Sequence, residues 1–185
     1  MAYFEHSIGG VALDLAHLEP RTLRFFVKNV GRELAIDVKF SNHCFTVAYL
    51  PCVHSPTHRI MDASRARAYD PERHDLSHNL PALVDALPNA SVYLTASDRN
   101  YVYLANVALT GGRIYPMYFR LKRFQADPRE QQRQQQASHQ LQMVVESAYP
   151  IEDRQEALEG ATKINFAVLC AKVHKGEQVR SRLRR

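Results

Sequence analysis

A chain of 185 residues, 45% of them hydrophobic and 23% charged, is long enough to bury about two-thirds of its unfolded surface in one core without staples. Its three cysteines are an odd number, which excludes a fully paired disulfide framework, and no apolar run approaches the ~18 residues needed to span a bilayer. The opening MAYFEHSIGG lacks the basic start and apolar core of a secretory leader, so the expected compartment is the reducing cytoplasm, with no membrane partner.

The net charge is +5, and it is unevenly placed. Between Lys172 and Arg185 stand Lys172, Lys175, Arg180, Arg182, Arg184 and Arg185 against Glu177. The expected organisation is therefore a single domain over 1–176 and a basic, flexible tail over 177–185. Such a tail is either a polyanion-binding arm or a solvated end. Arg113–Arg133 is basic as well, through Arg113, Arg120, Lys122, Arg123, Arg129 and Arg133. Cations on a folded strand point more directly to a nucleic-acid surface than a tail does.

In chain order, VALDLAHL alternates and reads as a strand. TLRFFVKN is aromatic and β-branched, VGRE turns, and LAIDVKFSNHCFTVAYL follows, which suggests a meander. In the last run Ile36, Val38 and Phe40 share a face, whereas Phe45, Val47 and Tyr49 have the opposite parity. The switch falls in Ser41–Cys44, and a change of parity means a bulge or a strand break. Residues 51–80 hold histidines and arginines with no sustained period and read as a long loop, a lid or binding segment. LPALVDAL, with Ser77 as N-cap, is a short helix.

SVYLTA and YVYLANVAL flank Ser97–Asn100 as a hairpin. RIYPMYFRLKRF then places Tyr115, Met117, Phe119 and Leu121 on one face and Tyr118, Arg120 and Lys122 on the other, so it should be a strand paired on both sides, with Pro116 as its weak point. The polar insert 126–138 opens on Asp-Pro and reads as a protruding helix or a hairpin tip. In QLQMVVESAY, Leu141, Met143 and Val145 share a parity that runs on into Ser147 and Tyr149. PIEDRQEALEG suggests a helical turn closed by Gly160. KINFAVLCAKV reads as the final strand, with Ile164, Phe166, Val168 and Cys170 on one face.

The chain contains no P-loop, dinucleotide fingerprint, nucleophile elbow or His-Glu-x-x-His helix. His43, Cys44, Cys52 and His54 are zinc-capable types, but their spacing matches no common zinc knuckle, and the expectation is no metal and no cofactor. What stands out is a set of His, Arg and Tyr residues. Cleavage of RNA without a metal needs a base for the 2′-hydroxyl, an acid for the leaving oxygen and fixed cations for the phosphorane charge. The alternative for the arginines between 59 and 73 is salt-bridging with Asp62, Asp70, Glu72 and Asp75.

The segments VKFSNHCFT, RAYDPERHDLSHNLP, YPMYFRLKR and VVESAYP together resemble small bacterial and prophage-borne toxins of the barnase/EndoU/colicin/RelE-type ribonuclease superfamily, over about residues 36–172. That resemblance implies a helical N-terminal part packed on a four- to five-stranded antiparallel sheet, and RNA cleavage by His, Arg, Lys, Tyr or Ser on the concave face. The N-terminal part here reads as strands instead, and no triad matches residue by residue.

The fold expected is α+β, a twisted and mainly antiparallel sheet with a long loop at about 51–80 and few short helices. The function expected is a metal-independent endoribonuclease acting as a growth-inhibiting toxin in a toxin–antitoxin or phage-defence cassette. RNA and an antitoxin or defence-system protein would be its partners. His43 is the acid/base candidate, Arg67, Arg73 and Arg120 the phosphate clamps, and Tyr149 a second proton donor or a stacking platform. Lys122, Arg123 and Ser147 are the nucleic-acid-binding candidates. The alternative is a non-catalytic nucleic-acid- or protein-binding module of a defence or regulatory system.

Overall fold

The computed structural model describes residues 3–62, 65–95, 101–105, 109–125, 139–153, 158 and 160–179. The expectations for the insert 126–138, the hairpin tip 97–100, residues 154–157 and 159 of the turn after Tyr149 and the tail from 180 lie outside the described residues. In chain order the strands are β1 (Ser7–Ile8), β2 (Val11–Ala12), β3 (Arg21–Val27), β4 (Arg32–Phe40), β5 (Thr46–Ala48), β6 (Arg59–Asp62), β7 (Arg65–Tyr69), β8 (Ser91–Leu94), β9 (Tyr101–Ala105), β10 (Tyr115–Arg123), β11 (Leu141–Ala148) and β12 (Thr162–Asn165). The helices are α1 (Pro71–Ser77), α2 (Leu80–Ala86) and α3 (Phe166–Lys175). The fold is α+β. A seven-stranded, mainly antiparallel sheet runs β12-β8-β9-β10-β11-β4-β3, a three-stranded sheet runs β5-β7-β6, and β1 and β2 form a short ribbon.

β10 is the middle of the large sheet, antiparallel to β9 on one side and β11 on the other. Tyr115, Met117 and Phe119 are fully buried, while Arg120 and Lys122 are exposed on the opposite face. Pro116 is tolerated because it stands where the ladder is already broken. Ile114 exchanges both backbone hydrogen bonds with Ile151, at 2.9 and 3.0 Å. By the two-residue period, Pro116 therefore turns its nitrogen toward the same side. The register that pairs Ile114 with Ile151 and Tyr118 with Ser147 puts Pro116 opposite Tyr149, just beyond the end of β11. The missing N–H coincides with the strand end.

β11 departs from the sequence reading. Its pairing with β10 shifts between Tyr118↔Ser147 and Phe119↔Val145, leaving Glu146 as the extra residue of a bulge. Leu141, Met143 and Val145 are buried, but after the bulge the buried residue is Ala148. Ser147 and Tyr149 thus leave the line of Met143 and Val145 and join the face of Tyr118 and Arg120, because one inserted residue inverts parity.

The N-terminal strands do not form a simple meander. β3 and β4 are a hairpin whose turn contains Gly31 at φ 76°, a left-handed conformation that suits glycine. β4 then pairs in parallel with β11, from Ile36↔Leu141 to Phe40↔Val145. The parity switch at Ser41–Cys44 is a strand break: a 3-10 turn at Asn42–Cys44 ends β4, and β5 belongs to the other sheet. VALDLAHL is strand only at Val11–Ala12 and then turns 3-10 at Ala16–Leu18, where the three-residue spacing of Leu15 and Leu18 buries both.

Residues 51–80 are not a loop. They carry β6, β7 and α1, and the β6–β7 hairpin shows no hydrophobic alternation because only Ile60 and Ala68 of the two strands are buried. α2 forms as expected, but it is preceded by Asn79, since Ser77 is the buried last residue of α1. KINFAVLCAKV also divides. Asn165 accepts hydrogen bonds from the N–H groups of Ala167 (3.0 Å) and Val168 (3.3 Å), which ends β12 and opens α3. Phe166, Leu169 and Cys170 then fall at helical spacing on the core side, with Phe166 5.8 Å from Phe25 and 6.0 Å from Phe119. Gly176 at φ 77° closes the helix. Replacing Asn165 by Ala should destabilise the protein by about 1 kcal/mol in urea unfolding, and Asn165→Asp should not, because only the first removes the cap.

Candidate functional site

The site is built on the turn that follows β4. Ser41 donates its hydroxyl to the Glu146 carbonyl (2.6 Å), its N–H to the Val145 carbonyl (2.9 Å), and accepts the His43 N–H (3.1 Å). The turn is thereby fastened to the bulge of β11. Further along, Thr46 donates its hydroxyl to the Asn42 carbonyl (2.7 Å). Burial of Cys44 and Phe45 anchors the turn in the core.

Two arginines hold the far side of the same turn. Arg67 of β7 donates from Nε to Thr46 Oγ1 (2.6 Å) and from Nη2 to the Thr46 carbonyl (2.9 Å). Arg73 of α1 donates from Nη1 to that carbonyl (3.0 Å) and to the His43 carbonyl (3.3 Å). Two guanidinium groups therefore converge on one carbonyl oxygen, and among the described residues neither ion-pairs with a carboxylate. Burial, followed by the Arg73 cation, pushes the Arg67 pKa down against the opposing charge of Asp62. Arg73 also lies 4.7 Å from the centroid of the Tyr149 ring, and Tyr149 stacks with Tyr118 at 5.7 Å. That contact is a cation–π pair in a partly desolvated setting.

On the near side, His43 faces a cleft of about 480 Å³ bordered by Lys39, Asp62, Arg65, Arg120 and Glu146, with Tyr3 and Phe4 at its rim. His43 Nε2 is 3.1 Å from the Asp62 carboxylate. An ionised carboxylate only accepts, so Nε2 carries the proton and the lone pair sits on Nδ1. Arg120 donates from Nε to Glu146 Oε1 (2.6 Å), and Arg65 has no carboxylate partner among the described residues.

His43, Arg67, Arg73 and Tyr149 thus meet around residues 42–46, and Arg120 shares the cleft with His43. Ser147 is half-buried opposite Tyr118, and Lys122 is exposed on the same face beyond Arg120. Arg123 is elsewhere. Its Nε donates to the His174 carbonyl (2.9 Å) at the C-terminal end of α3, so it serves the helix end rather than this face. The salt-bridging expected among 59–73 is limited: Asp62 pairs with His43, Asp70 caps α1 through the Arg73 N–H (2.8 Å), and Glu72 pairs with Arg113 (2.8 Å).

Sequence reasoning missed Lys39, Thr46 and Glu146 as members of the site, and took Asp62 only as a salt-bridge partner for the arginines. Glu146 left a trace, since it separates a buried-parity run from Ala148; Lys39 and Thr46 stood in a run that reads as strand but carries no local sign of a site, and Asp62 lay on a hairpin whose strand character was not legible. The zinc-capable set does not converge either: Cys44 is buried, Cys52 is exposed, and His54 Nδ1 accepts the Leu50 N–H (2.9 Å). Among the described residues no three His, Cys, Asp or Glu side chains are arranged to hold a metal.

The model of the YjaZ family matches residues 5–174. The chain belongs to the YjaZ family. In this YjaZ-family chain the match runs from ahead of β1 into the last turn of α3, so it includes both larger sheets and every charged residue of the cleft. No curated protein and no solved structure matches the chain. No helix among the described residues is long and apolar enough to cross a membrane.

Burial pushes the Cys44 thiol up to about 12 and raises that of Cys170 as well, so neither is a nucleophile near neutral pH. A thiol reagent should titrate Cys52 alone in the native protein and all three cysteines in denaturant. Fast reaction of a second thiol in the native state would show that the 42–44 turn or α3 opens readily.

Proposed function

We propose that this chain is an endoribonuclease that cuts RNA through acid–base chemistry of its own side chains, without a metal, and acts as a growth-inhibiting toxin. The observation that carries the reading is the Arg67–Arg73 pair. Two half-buried cations share one carbonyl and, among the described residues, lack a carboxylate, an arrangement that favours a bound oxyanion. They back the turn that carries His43. In the reaction His43 Nδ1 takes the proton of a ribose 2′-hydroxyl, whose oxygen attacks the adjacent phosphorus. The bond from phosphorus to the 5′ oxygen breaks, leaving a 2′,3′-cyclic phosphate and a new 5′-hydroxyl that needs a proton. Asp62 orients His43 by accepting from its Nε2, and Arg65 and Arg120 supply positive charge along the cleft. Tyr149 already carries Arg73 on its ring, which suits a role for its hydroxyl as proton donor better than a role in base stacking. Lys122 extends the cationic face for the RNA backbone, and an antitoxin would act by covering the cleft.

A second reading is supported by the partners the arginines already have. Arg67 and Arg73 donate to backbone carbonyls and Arg120 is neutralised by Glu146, which suits a module that only positions a nucleic-acid backbone. Expression of the chain alone and single-turnover cleavage of a long RNA separate the two. The wild type should arrest growth and cut RNA. His43→Ala should reduce cleavage by about 10²–10⁴-fold, the scale of a lost general base, with an unchanged circular dichroism spectrum. Arg120→Ala should cost about 2–4 kcal/mol in the cleavage step, the scale of one preorganised electrostatic contact. Salt-dependent binding with no cleavage by the wild type would select the binding module.

A further inference from the structure

Three histidines outside the cleft meet where the N-terminal segment crosses α1. His17 lies in the 3-10 turn Ala16–Leu18, His74 within α1, and His78 at its C-terminal cap. Four residues apart, His74 and His78 share a helix face. The His17 and His78 rings stack at 3.8 Å and 16°, and His74 stands edge-on, 5.7 Å from His17 and 5.1 Å from His78.

The hydrogen bonds select neutral rings. Ser77, fully buried, donates its only hydroxyl proton to the His74 carbonyl (2.6 Å), so it accepts from His17 Nε2 (2.7 Å). His74 Nε2 donates to the Asp14 carbonyl (3.0 Å), and His78 Nδ1 to the carbonyls of His74 (3.1 Å) and Asp75 (3.3 Å). Each ring needs one N–H, and none needs two.

Little negative charge is available to balance protonation. Asp14 adjoins the turn, and the Asp75 carboxylate is 3.6 Å from His74 Nδ1 but largely in solvent. On α2, which packs on the turn, Asp85 is held by Arg21 (2.9 Å). Glu72 of α1 is held by Arg113, Asp70 caps α1, and Glu19 accepts the Tyr3 N–H (2.8 Å). From β7 comes only the Tyr69 ring, 5.6 Å from His74, with His58 edge-on behind it.

We propose that His17, His74 and His78 form an acid-sensitive latch: neutral rings clasp the 3-10 turn to α1, and a second proton in the cluster drives the stacked rings apart and releases both. The titration runs in the required direction. Burial, then His78 and His74, push the His17 pKa down to about 4 against Asp14. The opened form, in which His17 returns to the ordinary value near 6.5, therefore binds a proton there more readily than the closed one. The clasp is at full strength above about pH 6.5 and weakens as pH falls toward about 4. Release reaches the site through Arg73, the residue before His74, whatever chemistry that site performs.

Amide hydrogen exchange of the full chain at about pH 7.5 and about pH 5, corrected for intrinsic exchange rates, tests the latch. Residues 15–18 and 71–78 should lose protection by about tenfold or more at the lower pH while β10 and β11 do not. His17→Gln, which can still donate to Ser77 but cannot be charged, should abolish that difference. If circular dichroism shows His17→Gln to be misfolded, His78→Gln at the exposed helix end replaces it. Equal protection of the wild type at both pH values would overturn the latch, as would the same acid loss in the uncharged variant or an NMR titration of His17 near 6.5.

Discussion

The bulge at Glu146 is the constraint on which the rest of this structure depends. A sheet strand is committed to one set of side chains per face, and inverting that commitment requires one unpaired residue. Up to Val145, β11 serves the core beside Phe119; from Ser147 onward it serves the opposite face beside Tyr118. Ser41 hydrogen-bonds to the carbonyls of Val145 and Glu146, so the bulge also fixes where β4 ends and where the next turn begins. Pro116 lies two residues from the shift, opposite Tyr149, and its missing donor helps to end the ladder there.

What the bulge anchors is a turn with cations on both sides. Behind it, Arg67 and Arg73 donate to backbone carbonyls and, from Arg67 Nε, to the Thr46 hydroxyl, an arrangement that orients each guanidinium without neutralising it. In front, the two carboxylates of the cleft are paired, Asp62 with His43 and Glu146 with Arg120. The exposed Arg120–Glu146 pair contributes little to stability, since surface pairs are screened. Its consequence is geometric, because it holds Arg120 above the cleft rather than extended into solvent.

α1 links this centre to the N-terminal segment. One helix turn carries Glu72 toward Arg113, Arg73 toward the His43 turn, and His74 toward His17. Residues adjacent in sequence thereby tie together β10's approach, the candidate site and the 3-10 turn. A short helix has few hydrogen bonds of its own, so its stability derives from such tertiary contacts. Anything that loosens one of them is felt by the others.

Much of the large sheet was legible because its strands are half-buried and so alternate: β3, β4, β8 and β10 each carry a period-two pattern with apolar residues on the core side, and β9 reads as strand from its aromatic and β-branched content. The α+β class and the central place of β10 follow from that pattern and from local propensity. Local pattern failed where burial does not alternate. The β6–β7 hairpin buries too few residues to print a period, and α3 happens to alternate over Ile164–Cys170 although Asn165 caps it as a helix. His43, Arg67, Arg73, Arg120 and Tyr149 could be named from residue type alone, since few side chains can move protons or bind phosphate. Their assembly could not. It rests on the parallel pairing of β4 with β11, on the bulge that turns Tyr149 toward Arg73, and on a carbonyl of Thr46 shared by residues 21 and 27 positions away. These are long-range contacts, and a sequence records which residues can make them while only the closed chain decides which do.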